Sequence, residues 1–307
     1  MSNLSSNTHF ADETKLYRVM PIGQLIDMLI SKKNTLVHPT LWEDPYEKLI
    51  EKSEIGIWVN SYNKLFTSKL DWERCYAQCW STKKESDAIW RSFSHNGLIR
   101  CAKIRTTKGK LCKSTIHYSN PKRIVNFSID RVHYVSMNGN LKAFYSTLSQ
   151  LFKERLDDRD DVQIQEPILK SLLLIKRREF KHEEEVRLTA YTTLGQTSPN
   201  TLSYDIQESL KEGLIEEIVL DPWTPDYMVK SYIELLKKYS NLSKRKIKKS
   251  KLYKDIEKDF PLYLEYDDEG YIKDVIKNEP NIEFITKDNK RLILKNEYIQ
   301  YAQSEES

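Results

Sequence analysis

The sequence predicts an α+β fold of many short strands and a few helices. Short runs alternate with a two-residue period, as in "RCYAQCWST", where Cys75, Ala77 and Cys79 oppose Tyr76, Gln78 and Trp80. Other segments place apolar residues at helical spacing, as at Ile22, Leu25, Ile26, Leu29 and Ile30. No internal repeat or heptad run ties these elements into a solenoid or coiled coil.

In chain order, residues 1–14 read as a disordered leader. "KLYRVM" is a strand, and Pro21 opens the first helix at a favoured position. "NTLVHP" is a strand stopped by Pro39, and Asp44-Pro45 favours a turn. "RCYAQCWST" is a buried strand, and Ser86 is placed to cap the helix of "ESDAIWRSFS". "GLIRCAKIR" and "RVHYVSM" read as further strands. Phe144, Leu148, Leu151 and Phe152 mark one helix, and Ile168, Leu172 and Ile175 another, with the acidic loop "LDDRDDVQ" between them. After the loop "LGQTSPN", "GLIEEIVLDP" is a strand, and Met228, Tyr232, Leu235, Leu236 and Tyr239 mark the helix that follows. "RKIKKSKLY" reads as the last strand of the main body. "PLYLEYDDEGYIKDVI" and "NIEFITKDNKRLILK" each look like a hairpin, turning at Asp268-Glu269-Gly270 and Asp288-Asn289. The expected organisation is therefore a leader (1–14), one large domain (15–252) and a small C-terminal β appendage (253–307).

A chain of 307 residues suits one large domain with an appendage. Charged residues make up 31%, both signs are mixed, and the net charge is only +4. That excludes a uniformly basic nucleic-acid binder and leaves room for a local basic patch. Cys75, Cys79, Cys101 and Cys112 lack zinc-ligand spacing, and His38, His95, His117 and His133 show none either. No metal is expected. The polar start "MSNLSSNTHFADETK" lacks a secretory pattern, and no apolar run reaches the roughly 18 residues of a membrane span. The expectation is a soluble cytoplasmic protein with reduced thiols and no membrane partner.

The stretch "REFKHEEEVRLTA" carries three consecutive carboxylates. Read as a strand, it places Phe180, His182, Glu184, Val186 and Leu188 on one face, with His182 turned inward. Lys181, Glu183, Glu185, Arg187 and Thr189 share the other. Glu183 and Glu185 would then lie about 7 Å apart on one face, which calls for a cation or a ligand hydroxyl between them. A solvated, salt-bridged strand edge is the alternative reading.

Several separated motifs occur together: Tyr17-Arg18; Asp44-Pro45-Tyr46-Glu47; Cys79-Trp80-Ser81; Asp87-Ala88-Ile89-Trp90 after Ser86; and Phe180-Lys181-His182-Glu183-Glu184-Glu185-Val186-Arg187. In this order, over residues 15 to about 252, they resemble a family of uncharacterised bacterial proteins. That family in turn looks like the ADP-ribosyltransferase superfamily and the toxins of phage-defence toxin–antitoxin systems. The resemblance implies a split β-sheet core with flanking helices, and NAD as substrate. It implies Arg18 on the first strand, Ser81 on a middle strand and Glu185 on a later one. Ser81-Thr82-Lys83 departs from the pattern, with lysine where a second serine often sits.

Nicotinamide leaves the ribose of NAD through an oxocarbenium-like centre, as in glycoside hydrolysis. On the resemblance, Glu185 would hold the ribose 2′-hydroxyl and stabilise that cation. Glu183 would orient or deprotonate the acceptor. Arg18, with Tyr17 beside it, would take the phosphate or ribose of NAD. It should be one of few cations in an apolar cleft formed with Trp80 and Trp90, which wall the nicotinamide pocket. Ser81 would support Glu185 or the ribose by a hydroxyl bond. Asp44 and Glu47 would brace the Arg18 strand.

"SKRKIKKSKLYK" holds seven bases and no acid. Lys244, Lys246, Lys248, Lys249 and Lys251 are read as a phosphate track, or as a solvated edge strand. The expected activity is mono-ADP-ribosylation of nucleic acid, RNA before DNA, by a toxin with an antitoxin partner. A nuclease or nucleic-acid-binding effector, a protein-targeting transferase and an inactive interaction module remain as alternatives.

Overall fold

The computed structural model describes residues 10–47, 54–59, 64–69, 72–116, 118, 125–136, 142–156, 165–192, 200–254, 264–275, 282–285, 291–295 and 298–301. The expected loops 157–163 and 194–199 and the Asp288-Asn289 turn lie outside them. The chain divides into Met1–Tyr253 and Lys254–Ser307.

The first unit runs β1 (Lys15–Pro21), α1 (Ile22–Ser31), β2 (Lys33–Val37), β3 (Glu54–Val59), β4 (Lys64–Lys69), β5 (Cys75–Ser81), α2 (Asp87–Ser94), β6 (Cys101–Thr107) and α3 (Lys108–Thr115). It continues β7 (Val125–Arg131), β8 (His133–Val135), α4 (Lys142–Leu156), α5 (Gln165–Leu172), β9 (Ile175–Arg177), β10 (Glu185–Thr192), β11 (Thr201–Asp205), α6 (Gln207–Lys211), β12 (Glu217–Leu220), α7 (Asp226–Ser240) and β13 (Ile247–Lys249). The second unit holds the hairpin β14 (Leu264–Tyr266) with β15 (Ile272–Val275), and the meander β16 (Ile282–Ile285), β17 (Arg291–Lys295) and β18 (Tyr298–Tyr301). The class is α+β, as expected.

One mostly antiparallel sheet dominates. Strand β5 pairs along its whole length with β10, from Ser81↔Glu185 to Cys75↔Tyr191, and β10 pairs with β7. β1 pairs along its whole length with β6, followed by β12 and then the parallel strand β13. These two halves meet at a single pair among the described residues, Tyr17↔Ser81. Further along, β5 meets β2 at Ala77↔Val37, and β2 pairs with β11. The sheet is therefore split where β1 and β5 part.

Three cores follow from the alternation of these strands. Leu16, Met20, Tyr76, Trp80, Val186 and Leu188 share one sheet face with Leu25 and Leu29 of α1. On the other face, Cys75 and Tyr191 pack with Leu148 and Leu151 of α4 and Leu169 and Leu172 of α5. Val19, Cys101 and Val219 pack with Ile89 and Trp90 of α2. The second face also carries Cys79, Ser81, Glu185 and Arg187, polar groups amid apolar packing.

Local signals explain several ends. Ser86 Oγ accepts from Ile89 N at 3.2 Å and starts α2. Lys32 in the left-handed region (φ 57°) ends α1. Other expectations shift. Ile30 is exposed, because α1 buries a narrower face of Ile22, Leu25, Met28 and Leu29. The "GLIRCAKIR" strand begins only at Cys101, since Gly97 turns with φ +86°. "RVHYVSM" breaks at Val132 into the end of β7 and β8, and β8 pairs with β9. Residues 10–14, expected in the leader, dock on the β6–α3 corner, where Lys108 Nζ donates to Phe10 O at 2.6 Å.

Candidate active site

The parting of β1 and β5 opens a cleft with a cavity volume of about 150 Å³. Tyr17 and Arg18 come from β1, Trp80 and Ser81 from β5, and Trp90 from α2. Glu185 comes from the first position of β10 and Glu183 from the turn before it. All seven residues picked out in the sequence for catalysis or NAD binding line this one cleft.

The acidic stretch is not one strand. Arg178–Glu183 forms a 3-10 turn, Glu184 takes a left-handed conformation (φ 46°), and β10 begins at Glu185. His182 is exposed, not inward. Glu183 and Glu185 therefore do not share a strand face. They converge instead on Lys176 of β9, whose Nζ donates to Glu183 Oε2 at 2.5 Å and Glu185 Oε2 at 2.9 Å. The backbone turn is pinned to the end of β5. Ser81 Oγ donates to Glu183 O at 2.6 Å, and Thr82 N donates to Glu184 O at 3.1 Å. Ser81 Oγ also accepts from Lys83 N at 2.9 Å. The serine thus holds backbone and does not touch the Glu185 carboxylate as expected.

Arg187 lies beneath Glu185, fully buried. Its Nε donates to Glu185 Oε1 at 2.7 Å and its Nη2 to Glu185 Oε2 at 3.1 Å. Nη1 donates to Leu173 O at 2.5 Å, Nη2 also pairs with Glu47, and Trp42 stacks 4.3 Å from the guanidinium. Glu47 therefore braces Arg187, and Asp44 pairs with Arg177 at 3.1 Å. Neither braces the Arg18 strand, because the Asp-Pro turn packs beside β9 and β10. Burial alone would raise the Glu185 carboxyl, but Arg187 and Lys176 outweigh it and hold it at about 2. Burial pushes Glu47 up despite Arg187. Burial and the neighbouring Glu185 charge push the Cys79 thiol well up, and that thiol bonds to Glu185. Tyr134 OH accepts from Glu185 N at 2.7 Å.

Arg18 lines the cleft from β1 and also lines a second cavity with Met20, Gln24, Asp27, Lys33 and Asn34. Among the described residues it has no hydrogen-bond or ion-pair partner, and burial lowers its pKa to about 10. It is not a lone cation in an apolar cleft, because Lys83, Lys84, Lys103 and Lys176 line it too. Lys103 is buried and occupied. It donates to Lys84 O at 2.7 Å and lies 5.5 Å from the Trp90 ring and 5.7 Å from the Tyr17 ring.

The basic run differs from its expected form. Lys244–Lys246 is a 3-10 turn and only Ile247–Lys249 is strand. Lys244 pairs with Glu234 (3.3 Å), Lys248 with Glu217 (2.6 Å) and Lys249 with Asp226 (2.8 Å). Lys246 and Lys251 are exposed. Sequence reasoning missed Lys176 and the hub role of Arg187. The signal for the latter was a charge inside the apolar run "VRLTAY". Among the described residues no group of three His, Cys, Asp or Glu is arranged for a metal, and no helix is long and apolar enough to cross a membrane.

No family model matches the sequence, and no curated protein matches it. Similar solved structures include DarT of Thermus sp. 2.9 in complex with carba-NAD+, at TM-score 0.33 and 11% identity, covering 78% of this chain and 96% of that one. The same protein with ADP-ribosylated ssDNA aligns at TM-score 0.35 and 12% identity, covering 79% and 96%. With NAD+ it aligns at TM-score 0.33 and 10% identity, covering 79% and 98%.

Proposed function

We propose that the chain is an NAD-dependent mono-ADP-ribosyltransferase whose acceptor is nucleic acid. The observation that carries this is that opposite charges line one cleft: an ionised, buried Glu185, and an Arg18 without a hydrogen-bond or ion-pair partner among the described residues. The motif resemblance supports the same reading.

The cleft suits NAD chemically. Trp90, Tyr17, Ile89 and Phe93 offer flat apolar surface for the nicotinamide ring. Arg18 offers an unused fork for the pyrophosphate. NAD supplies the glycosidic bond that breaks, and its electron pair leaves with nicotinamide. The Glu185 carboxylate holds the ribose 2′-hydroxyl and offsets the positive charge at C1′. The acceptor atom bonds to C1′, and its proton passes to Glu183. Arg187 and Lys176 keep Glu185 charged throughout.

The test is incubation of labelled NAD with separate pools of RNA, single-stranded DNA and protein. Label should enter nucleic acid and fall at least about 100-fold in Glu185→Gln, the scale for one preorganised electrostatic group. A folded Glu185→Gln protein that labels like the parent overturns the assignment. RNA shortened without NAD would favour the nuclease reading, and label confined to protein would move the acceptor. A cytoplasmic toxin with an antitoxin partner belongs to the same proposal. Arrest of growth by the parent chain, and not by Glu185→Gln, is its expected signature.

A further inference from the structure

Beside the cleft, on the far flank of α2, an exposed aromatic cluster has no part in the chemistry above. The Tyr253 ring lies 5.5 Å from Trp223 at 39°. The Arg91 guanidinium sits 5.4 Å over Trp223. Arg91 Nε donates to both Asp87 oxygens at 2.9 Å, and its Nη2 donates to Tyr253 OH at 3.2 Å. The Tyr253 hydroxyl donates to Asp87. The cluster is tied to the cleft wall through Glu85. That carboxylate accepts from Ser250 Oγ at 2.6 Å, next to the cluster, and from Trp90 Nε1 at 2.9 Å, in the cleft.

Resting on the proposed transferase, we infer that this cluster is a stacking platform for a single-stranded nucleic-acid acceptor entering the cleft. Three features favour that occupant. Tyr253 is 46% exposed, so its ring is open to a base. The single acid of the cluster, Asp87, is paired with Arg91, so no net negative charge opposes a phosphate chain, and the guanidinium lies over the Trp223 ring. Lys83 and Lys84 on the cleft rim, and exposed Lys251, supply positive charge along the path, and the short exposed side chains of Ala88 and Ser92 leave room over α2. A base held on Tyr253 places its neighbours across the start of α2 toward Glu183. The paired lysines Lys244, Lys248 and Lys249 are not the main track.

The experiment measures fluorescence anisotropy of the full chain, without NAD, on labelled single-stranded 12-mers of RNA and of DNA, and on a duplex of the same length. Tyr253→Leu keeps side-chain bulk and removes the ring. Tyr253→Phe keeps the ring and removes the hydroxyl bond to Asp87. Stacking predicts that Tyr253→Leu weakens single-strand binding about tenfold or more, that Tyr253→Phe stays within about twofold, and that duplex binding is unmoved in both. Equal losses in both variants would make the cluster a latch on the end of the first unit and overturn the platform. An unchanged Tyr253→Leu would do the same. A parent chain that binds no oligonucleotide overturns the platform and the nucleic-acid acceptor together. NAD hydrolysis without acceptor should be unchanged in both variants, so the two readings fail separately.

Discussion

Arg187→Met should cost the first unit about 3–5 kcal/mol, the range for removing one partner of a buried ion pair. The figure rests on what stays behind. Arg187 is fully buried and satisfies Glu185 by two bonds, Glu47, and the Leu173 carbonyl. Without it Lys176 remains to pair with Glu185, and buried Glu47 keeps only the more distant Lys176 charge. Methionine retains the apolar stem against Trp42, so the loss is electrostatic and not a cavity. For a unit of this size the change lowers Tm by roughly 6–20 °C. Urea unfolding of Arg187→Met, Glu47→Gln and the double variant is the assay. Glu47→Gln should be mild, because the amide oxygen still accepts from Arg187. The double variant should be less damaged than the sum of its parts by about 1 kcal/mol or more. A single-variant loss under about 1 kcal/mol would refute the view of Arg187 as the charge hub.

Arg18→Ala should weaken NAD binding at least about tenfold in calorimetry while leaving stability unchanged or raised, because a desolvated charge without a partner is removed; equal NAD affinity would mean the first motif is misplaced. Stability should fall as pH drops from about 4.5 toward 2. The Glu185 carboxyl is held near 2 against an ordinary 4.5, so its contribution is present above 4.5 and is lost on protonation, about 3 kcal/mol in all. Glu47, raised by burial, works in the opposite sense and reduces the total; urea midpoints that do not fall between pH 6 and 3 would contradict the assignment. Glu184→Gly should stabilise by about 1 kcal/mol or less, since a left-handed non-glycine costs about that much; a clear loss would show that its side-chain bond to Thr82 outweighs the backbone. Lys246→Gln with Lys251→Gln should flatten the salt dependence of single-strand binding by up to about 1.4, at 0.7 per phosphate contact, and an unchanged slope would remove both from the path.

The sequence made the cleft legible because its residues sit on strands with strong patterns. Tyr17-Arg18 lie within β1, Trp80-Ser81 close β5 and Glu185 opens β10, each in a run whose alternation is plain, and α2 announces itself with Ser86. What the sequence hid was contributed by short or non-repeating backbone. Lys176 rides on the three-residue strand β9, which read as the tail of a helix because Ile175 continued the spacing of Ile168 and Leu172. Helix α3 has only Leu111 as a buried apolar side chain, too little for periodicity to register. The basic run looked like a strand by composition, yet its lysines are placed by acids from other elements: Glu217 of β12, and Asp226 and Glu234 of α7. Long-range pairing of this kind leaves no local trace.

The three consecutive carboxylates have one structural solution that a straight strand would forbid. On a strand, Glu183 and Glu185 would repel from one face, and a single lysine on a neighbouring strand would meet one of them better than the other. The left-handed Glu184 breaks the strand between them, turning Glu183 back while Glu185 starts β10. Both acids then reach the same Lys176 ammonium, and the middle acid is sent outward, 3.9 Å from Lys83. The strain at Glu184, about 1 kcal/mol, is offset by the bonds from Ser81 and Thr82 to the turn carbonyls. That gives the middle motif a purpose the chemistry alone did not suggest. Ser81 shapes the backbone that separates the two acids, so that one is held against Arg187 while the other turns back to Lys176.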